Sequence, residues 1–202
     1  MGLYIKESID YKIRDDLTIM DEKIFESVFV EIKDLEKGIL FGTIYRSPNT
    51  DNEANEIFLN YLKTCVTKLK KSNKLCYIQG DLNYNLIDID DNHVDSFTSV
   101  MFDNSFYPHI NQPTRITATS ATCIDHIWSN VFDRDVVCGI ISETIADHMI
   151  TFQCSDIEID KPSSSESPKT FRKINYDQLP HLLSNIDTVD ILYCADIDLA
   201  YT

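Results

Sequence analysis

The sequence predicts an α/β fold, a sandwich of two mixed, largely antiparallel sheets flanked by helices. Three observations carry that reading. With 202 residues, 43% of them apolar and 10% aromatic, the chain has material for a sizeable core and is not a disordered or low-complexity segment. Short β-rich runs dominate residues 1–155 and two helical patterns interrupt them. The resulting order of strands, helix, strand, helix and strands lacks the strict βα alternation of a doubly wound parallel sheet.

Each element has its own local reason. Residues 2–6, 27–33 and 39–45 are apolar or alternating and rich in β-branched and aromatic side chains, and Lys37-Gly38 supplies a turn between the last two. They read as adjacent antiparallel strands. After a loop over 46–52, Phe58, Leu62, Val66 and Leu69 recur at helical spacing, so a helix is expected over 53–71. Lys68, Lys70 and Lys71 near its C-terminal end suit the helix dipole. Residues 75–79 (LCYIQ) form an apolar run that stops at Gly80-Asp81, the pattern of a buried central strand with polar residues emerging at its end. A weaker helix is expected over 94–103, and further strands over 124–128, 136–141 and 149–154. Residues 156–170 read as a flexible linker, because KPSSSESPK combines Ser, Pro and charge. Beyond it, Leu179, Leu182, Leu183 and Ile186 give only a weak helical pattern.

Charge narrows the function. Eighteen basic against thirty-three acidic residues leave a formal charge of −15, which excludes a protein that holds nucleic acid by a broad basic surface. A local contact with phosphate, screened by a cation, stays open. No apolar run approaches the roughly 20 residues of a membrane span, and the N-terminal stretch is too charged for a signal peptide. An intracellular chain is therefore expected, with no membrane partner. Cys65, Cys76, Cys123, Cys138, Cys154 and Cys194 form no C-x-x-C pair and stand with no His at zinc-finger spacing, so reduced thiols and no zinc are expected.

Four segments place polar groups at strand ends: Tyr45-Arg46-Ser47-Pro48-Asn49, Gly80-Asp81-Leu82-Asn83, Ile124-Asp125-His126-Ile127 and Ala146-Asp147-His148. Taken singly, an Asp-x-Asn after a strand is also an ordinary turn. Asp125 is harder to dismiss, because a carboxylate inside an apolar Ile-x-x-Ile frame needs a partner. Three acidic groups and a His, each leaving a strand, are the set that holds a hard divalent cation and positions water against a phosphodiester. His126 falls on the opposite strand face from Asp125 and reads as structural. The acidic run 88–91 lacks the Gly and closing Glu of a calcium loop and reads as a solvated turn.

In this order, IYRSPN, GDLN, PTRIT followed by IDHIW, and ADH resemble the endonuclease/exonuclease/phosphatase superfamily, and most closely the endonuclease domain of non-LTR retrotransposons, over residues 2–152. The resemblance implies a DNase I-like sandwich and a metal-dependent phosphodiester hydrolase that nicks DNA to leave a 3′-hydroxyl. It implies Mg2+ or Mn2+ as cofactor, DNA as substrate, the nucleus as location and a reverse transcriptase domain in a full-length relative. Asp81 would orient or deprotonate the attacking water, and Asn83 would hold the scissile phosphate. His148 would contact a phosphate oxygen, its ring oriented by Asp125. Asp147 would serve the metal, Tyr45 would touch the phosphate, and Thr114 would contact phosphate or DNA, as would Arg46 unless it serves an ordinary salt bridge.

The family pattern begins with a strand ending in Asn and another ending in the Glu that is the principal metal ligand, both ahead of the GLYIK-like strand at which this chain starts. An N-terminally truncated domain over 1–155, lacking its first strands and that Glu, is therefore expected. A linker over 156–170 would lead to the start of a connector, 171–202, toward an absent reverse transcriptase. On this reading the chain is an impaired fragment of a DNA-nicking endonuclease. The alternatives are a catalytically inactive relic or nucleic-acid-binding module, and a phosphatase acting on a small phosphoester.

Overall fold

The structure, a computed structural model, describes residues 2–21, 23–33, 38–48, 51–132, 136–142 and 147–155. All of them belong to the compact unit Met1–Asp160; the linker and connector expected over 156–202 lie outside the described residues. In chain order the elements are β1 (Tyr11–Ile13), β2 (Ile19–Asp21), β3 (Phe25–Ile32), β4 (Ile39–Arg46), α1 (Asn52–Ser72), β5 (Leu75–Asp81), α2 (Asn92–Asp103), β6 (Tyr107–Pro108), β7 (Arg115–Ile116), β8 (Ala121–Thr122), β9 (Asp125–Ser129), β10 (Val136–Ile141) and β11 (Ile150–Ser155).

The main sheet has the order β1-β3-β4-β5-β9-β6, with β2 also paired to β3. Only β4 and β5 run parallel in it, because α1 carries the chain from the end of one back to the start of the other. The apolar stripe anticipated on α1 is buried at Phe58, Leu62, Cys65, Val66 and Leu69. It packs with α2 residues Val94, Phe97 and Met101 onto Phe29, Leu40, Ile44, Ile78 and Trp128 of the sheet. Asp51 caps α1 by accepting from the Ala54 N–H, and Asp91 caps α2 by accepting from the His93 N–H. Asp91, the last residue of the acidic run, thus serves a helix end.

On the opposite face, Ile127 of β9 packs with Ile110, Cys123 and the β10 residues Cys138 and Ile140. The β10–β11 pair is therefore a second layer. Between residues 3–9, the β3–β5 face and the end of β11 lies a cavity of about 550 Å³ lined by Ile9, Val30, Ile32 and Phe41. The five described cysteines are free thiols. No described helix is long and apolar enough to cross a membrane.

Two local expectations differ from what is found. Residues 2–6 form no strand, and Tyr4 is fully exposed; the edge of β3 is covered instead by β1 and β2, three residues each. Such short segments, flanked by Lys, Arg and Asp, carry too little alternation to show as strands. The two-residue strands β6, β7 and β8 escape for the same reason.

Register is what matters for the site. Thr43 pairs with Gln79 across β4 and β5, and Asp81 pairs with Asp125 across β5 and β9. Tyr45 lies two residues beyond the last pair of the β4–β5 ladder. Asp81 and Asp125 thus stand in one row at one end of the sheet, where β4 also ends. On the other face, opposite Gly80, His126 is buried in the core with its Nε2–H shared between the carbonyls of Tyr84 (2.9 Å) and Cys123 (3.1 Å). Burial lowers its pKa to about 4, so the ring is a neutral structural group.

Gly80 makes the row possible. Its φ is +140°, and a Cβ there would run into the carbonyl oxygen of Ile44 on β4. Gly80→Ala is expected to cost about 2 kcal/mol or more, seen as a lower urea midpoint with an unchanged slope.

Candidate active site

The site is built where β5 ends and β9 begins. Asp81 Oδ1 accepts from the Asn83 N–H at 3.2 Å, closing a turn in which Asn83 takes a left-handed φ of +51°. Asn tolerates that conformation better than most residues. Leu82, wholly buried between them, donates its N–H to the carbonyl of Ile124 and anchors the turn in the core. Across the strand pair, Asp125 accepts from His148 Nδ1 at 3.0 Å and 3.2 Å through its two oxygens. Asp81, Asp125 and His148 each offer an atom that lies within 4.8 Å of the other two.

Thr114 holds the Asp125–His148 pair together. Its side chain is wholly buried, and Oγ1 accepts from the backbone N–H groups of Ile124 (3.1 Å) and Asp125 (2.9 Å). Its carbonyl accepts from the Met149 N–H at 2.7 Å, and Ile116 N–H donates to the Asp147 carbonyl at 3.0 Å. The PTRIT segment therefore fixes both the start of β9 and the chain around His148. Its hydroxyl points inward, so the DNA contact expected of Thr114 is corrected to a positioning role: the hydroxyl is spent on two backbone donors.

Two further residues sit differently from expectation. Arg46 is buried, since it falls on the inward side of β4 with Leu40 and Ile44, and its guanidinium faces the interior rather than a substrate. Asp147 is exposed and its carboxylate accepts from Arg115 Nε at 2.7 Å; Arg115 holds its pKa below the usual range. It is not among the three clustered side chains. Tyr45 is partly exposed at the end of β4. Asn83 turns its side-chain amide onto the Arg46 carbonyl at 2.7 Å.

Electrostatics mark Asp81. Burial, and then the neighbouring charge of Asp125, raise its pKa above the usual carboxylate range, against a smaller lowering by His148. Two carboxylates facing each other at a half-buried strand end form a donor set that suits a hard divalent cation. His148 serves that set as the hydrogen-bond partner of Asp125.

No protein-family model and no curated protein matches the chain. Solved structures do. The endonuclease domain of TRAS1, a telomere-specific non-LTR retrotransposon, matches with a TM-score of 0.56 at 16% identity, over 72% of this chain and 66% of that one. D. rerio TDP2 humanized by 14 mutations matches at 0.50 and 12% identity, over 72% and 65%. An endonuclease/exonuclease/phosphatase family protein from Leptotrichia buccalis matches at 0.49 and 13%, over 75% and 62%. The chain has the DNase I-like fold of the endonuclease/exonuclease/phosphatase proteins. The TRAS1 endonuclease domain is a particular protein with that fold, and this chain spans just under two thirds of its length.

Thr114→Val keeps the side-chain shape and strips the acceptor from two backbone donors, so it is expected to destabilise the fold by about 1–3 kcal/mol, measured by urea unfolding. Asp81 gives a pH test. Its folded pKa is raised, so its stabilising contribution is present below the unfolded carboxylate pKa and lost as pH rises through the folded value. Without added cation, Asp81→Asn is expected to be more stable than the parent at neutral pH, the gap closing below about pH 4. Paired urea titrations across that range check it.

Proposed function

We propose that the chain is a metal-dependent phosphodiester hydrolase domain related to the DNA-nicking endonucleases of non-LTR retrotransposons. The observation that carries this is the Asp81, Asp125 and His148 cluster, within 4.8 Å and with the His–Asp hydrogen bond already made. The fold it shares with the TRAS1 endonuclease domain supports DNA as the substrate.

Hydrolysis adds a water oxygen to phosphorus and breaks the bond to the leaving 3′ oxygen, which takes a proton from solvent and becomes the 3′-hydroxyl. Asp81 orients the water and receives its proton. Asp125 fixes the ring of His148 through Nδ1–H, and with the second ring proton in place Nε2–H would donate to a non-bridging phosphate oxygen. Asn83, just past the end of β5, and Tyr45, near the end of β4, complete the phosphate contact. A Mg2+ or Mn2+ ion, held by Asp81 and Asp125, would supply positive charge against the phosphoryl oxygens.

The test is nicking of supercoiled plasmid by the purified chain with magnesium or with chelator. Nicking that needs the cation is expected, with Asp81→Ala and His148→Ala each slower by about 10²–10⁴-fold. Equal rates with magnesium and with chelator would falsify the proposal, and phosphate release from a soluble phosphomonoester would favour the phosphatase reading instead.

A further inference from the structure

Arg46 was expected at the substrate and is found beneath the catalytic turn, 5% exposed. Several of its contacts bear on the stretch Leu82–Tyr84. Nη1 donates to the carbonyls of Asn83 (3.3 Å) and Leu82 (3.5 Å), and its own carbonyl accepts from Asn83 Nδ2 (2.7 Å). One residue thus holds both the backbone and the side chain of Asn83, at the position whose φ is +51°. The guanidinium carbon lies 4.1 Å from the Tyr84 ring centroid and 5.8 Å from that of Phe58. Its plane is therefore packed as well as hydrogen-bonded.

The contacts continue into the helical layer. Arg46 Nη2 donates to Asn55 Oδ1 at 3.2 Å, and the Tyr84 hydroxyl donates to the same oxygen at 2.6 Å. Asn55 Nδ2 in turn donates to His93 Nδ1 at 3.1 Å. Asn55 is buried in the first turn of α1, and His93 lies in the first turn of α2. A buried polar group on an apolar helix stripe persists when its bonds are satisfied, and here they run from both helices to the turn between Asp81 and Tyr84.

We propose that Arg46, Asn55, Tyr84 and His93 form a buried positioning network that holds Asp81 and Asn83 in their working geometry, and that Arg46 makes no contact with the substrate. This rests on the reading of Asp81 and Asn83 as groups at the reacting phosphate, and it adds residues for which that reading gives no role. The network converts the packing of α1 and α2 into the placement of a strand-end turn. Arg is required rather than Lys, because three acceptors at different angles need the planar fork.

The test has one arm that needs no substrate. Backbone amide hydrogen exchange over residues 81–84 is measured in the purified chain and in Arg46→Lys, Asn55→Leu and Tyr84→Phe. Exchange in that turn is expected to quicken by roughly 2- to 10-fold, the effect of one lost buried hydrogen bond, while the Trp128 strand keeps its protection. Arg46→Lys is the mild variant that keeps the charge if the others unfold. Unchanged exchange at 81–84 in folded Arg46→Lys overturns the proposal whether or not the chain nicks DNA. The second arm uses plasmid nicking and duplex binding. Arg46→Lys is expected to lower kcat with KM unchanged, and Arg46→Ala to recover rate on adding guanidinium ion. In duplex binding, Arg46→Ala is expected to leave the salt dependence of affinity at the parent's slope. A slope lower by about 1, together with a raised KM, would show Arg46 on the phosphate and overturn the positioning role.

Discussion

Two carboxylates stand directly opposite each other on neighbouring antiparallel strands, Asp81 on β5 and Asp125 on β9. Side chains so paired have Cβ atoms about 4.5–5.5 Å apart, and like charges there oppose folding. Burial first, and then the charge of Asp125, raise the pKa of Asp81. A sheet accepts such a pairing only where other forces fix the register, and here the buried residues on either side do so. Ile78 and Trp128, partners in the same ladder, are both wholly buried. Slipping the register by one residue would move them from the helical core to the opposite face of the sheet. The core therefore enforces the carboxylate pair, and a cation is the group that would relieve it.

The pair is supported from both faces of the sheet. On the side of the small β7–β8 sheet, Thr114 ties the start of β9 to the chain bearing His148. On the helical side, Leu82 is buried in the main core and Arg46 reaches up beneath Asn83. The separation of the two supports means that Asp125–His148 geometry and Asp81–Asn83 geometry respond to different parts of the fold.

Much of this was legible in the sequence, and the limits have physical causes. Long strands and both helices announce themselves because their periodicity spans several turns or alternations: 39–45 against Ile39–Arg46, 53–71 against Asn52–Ser72. The four motif segments were legible because polar residues interrupt apolar runs at strand ends. Arg46 was readable in principle as well. Leu40 and Ile44 face inward on β4, and the same alternation sends Arg46 inward and Tyr45 outward. Asn55 likewise stands three residues before Phe58 on the apolar stripe of α1, a polar residue at a core position and so a signal of a buried bond. Thr114 was different. A hydroxyl in a loop has no period, and whether it meets solvent or the N–H groups of Ile124 and Asp125 is decided by contacts ten residues away.

The overall charge sets how such a site can work. At −15 the chain has no general attraction for a polyanion, and Arg115, exposed near His148, is already engaged by Asp147. Arg46 is committed beneath the turn. The long-range counterion release that drives most DNA binding therefore contributes little. On the proposed reading what remains is local: a hard divalent cation between Asp81 and Asp125 would cancel their two negative charges and offer an open position to a phosphate oxygen. Metal and substrate binding would then be coupled, each favouring the other, because two bare carboxylates repel a phosphate and a bound cation would hold one. On that logic the carboxylate pair that strains the sheet is also the feature that makes approach of the substrate conditional on the metal.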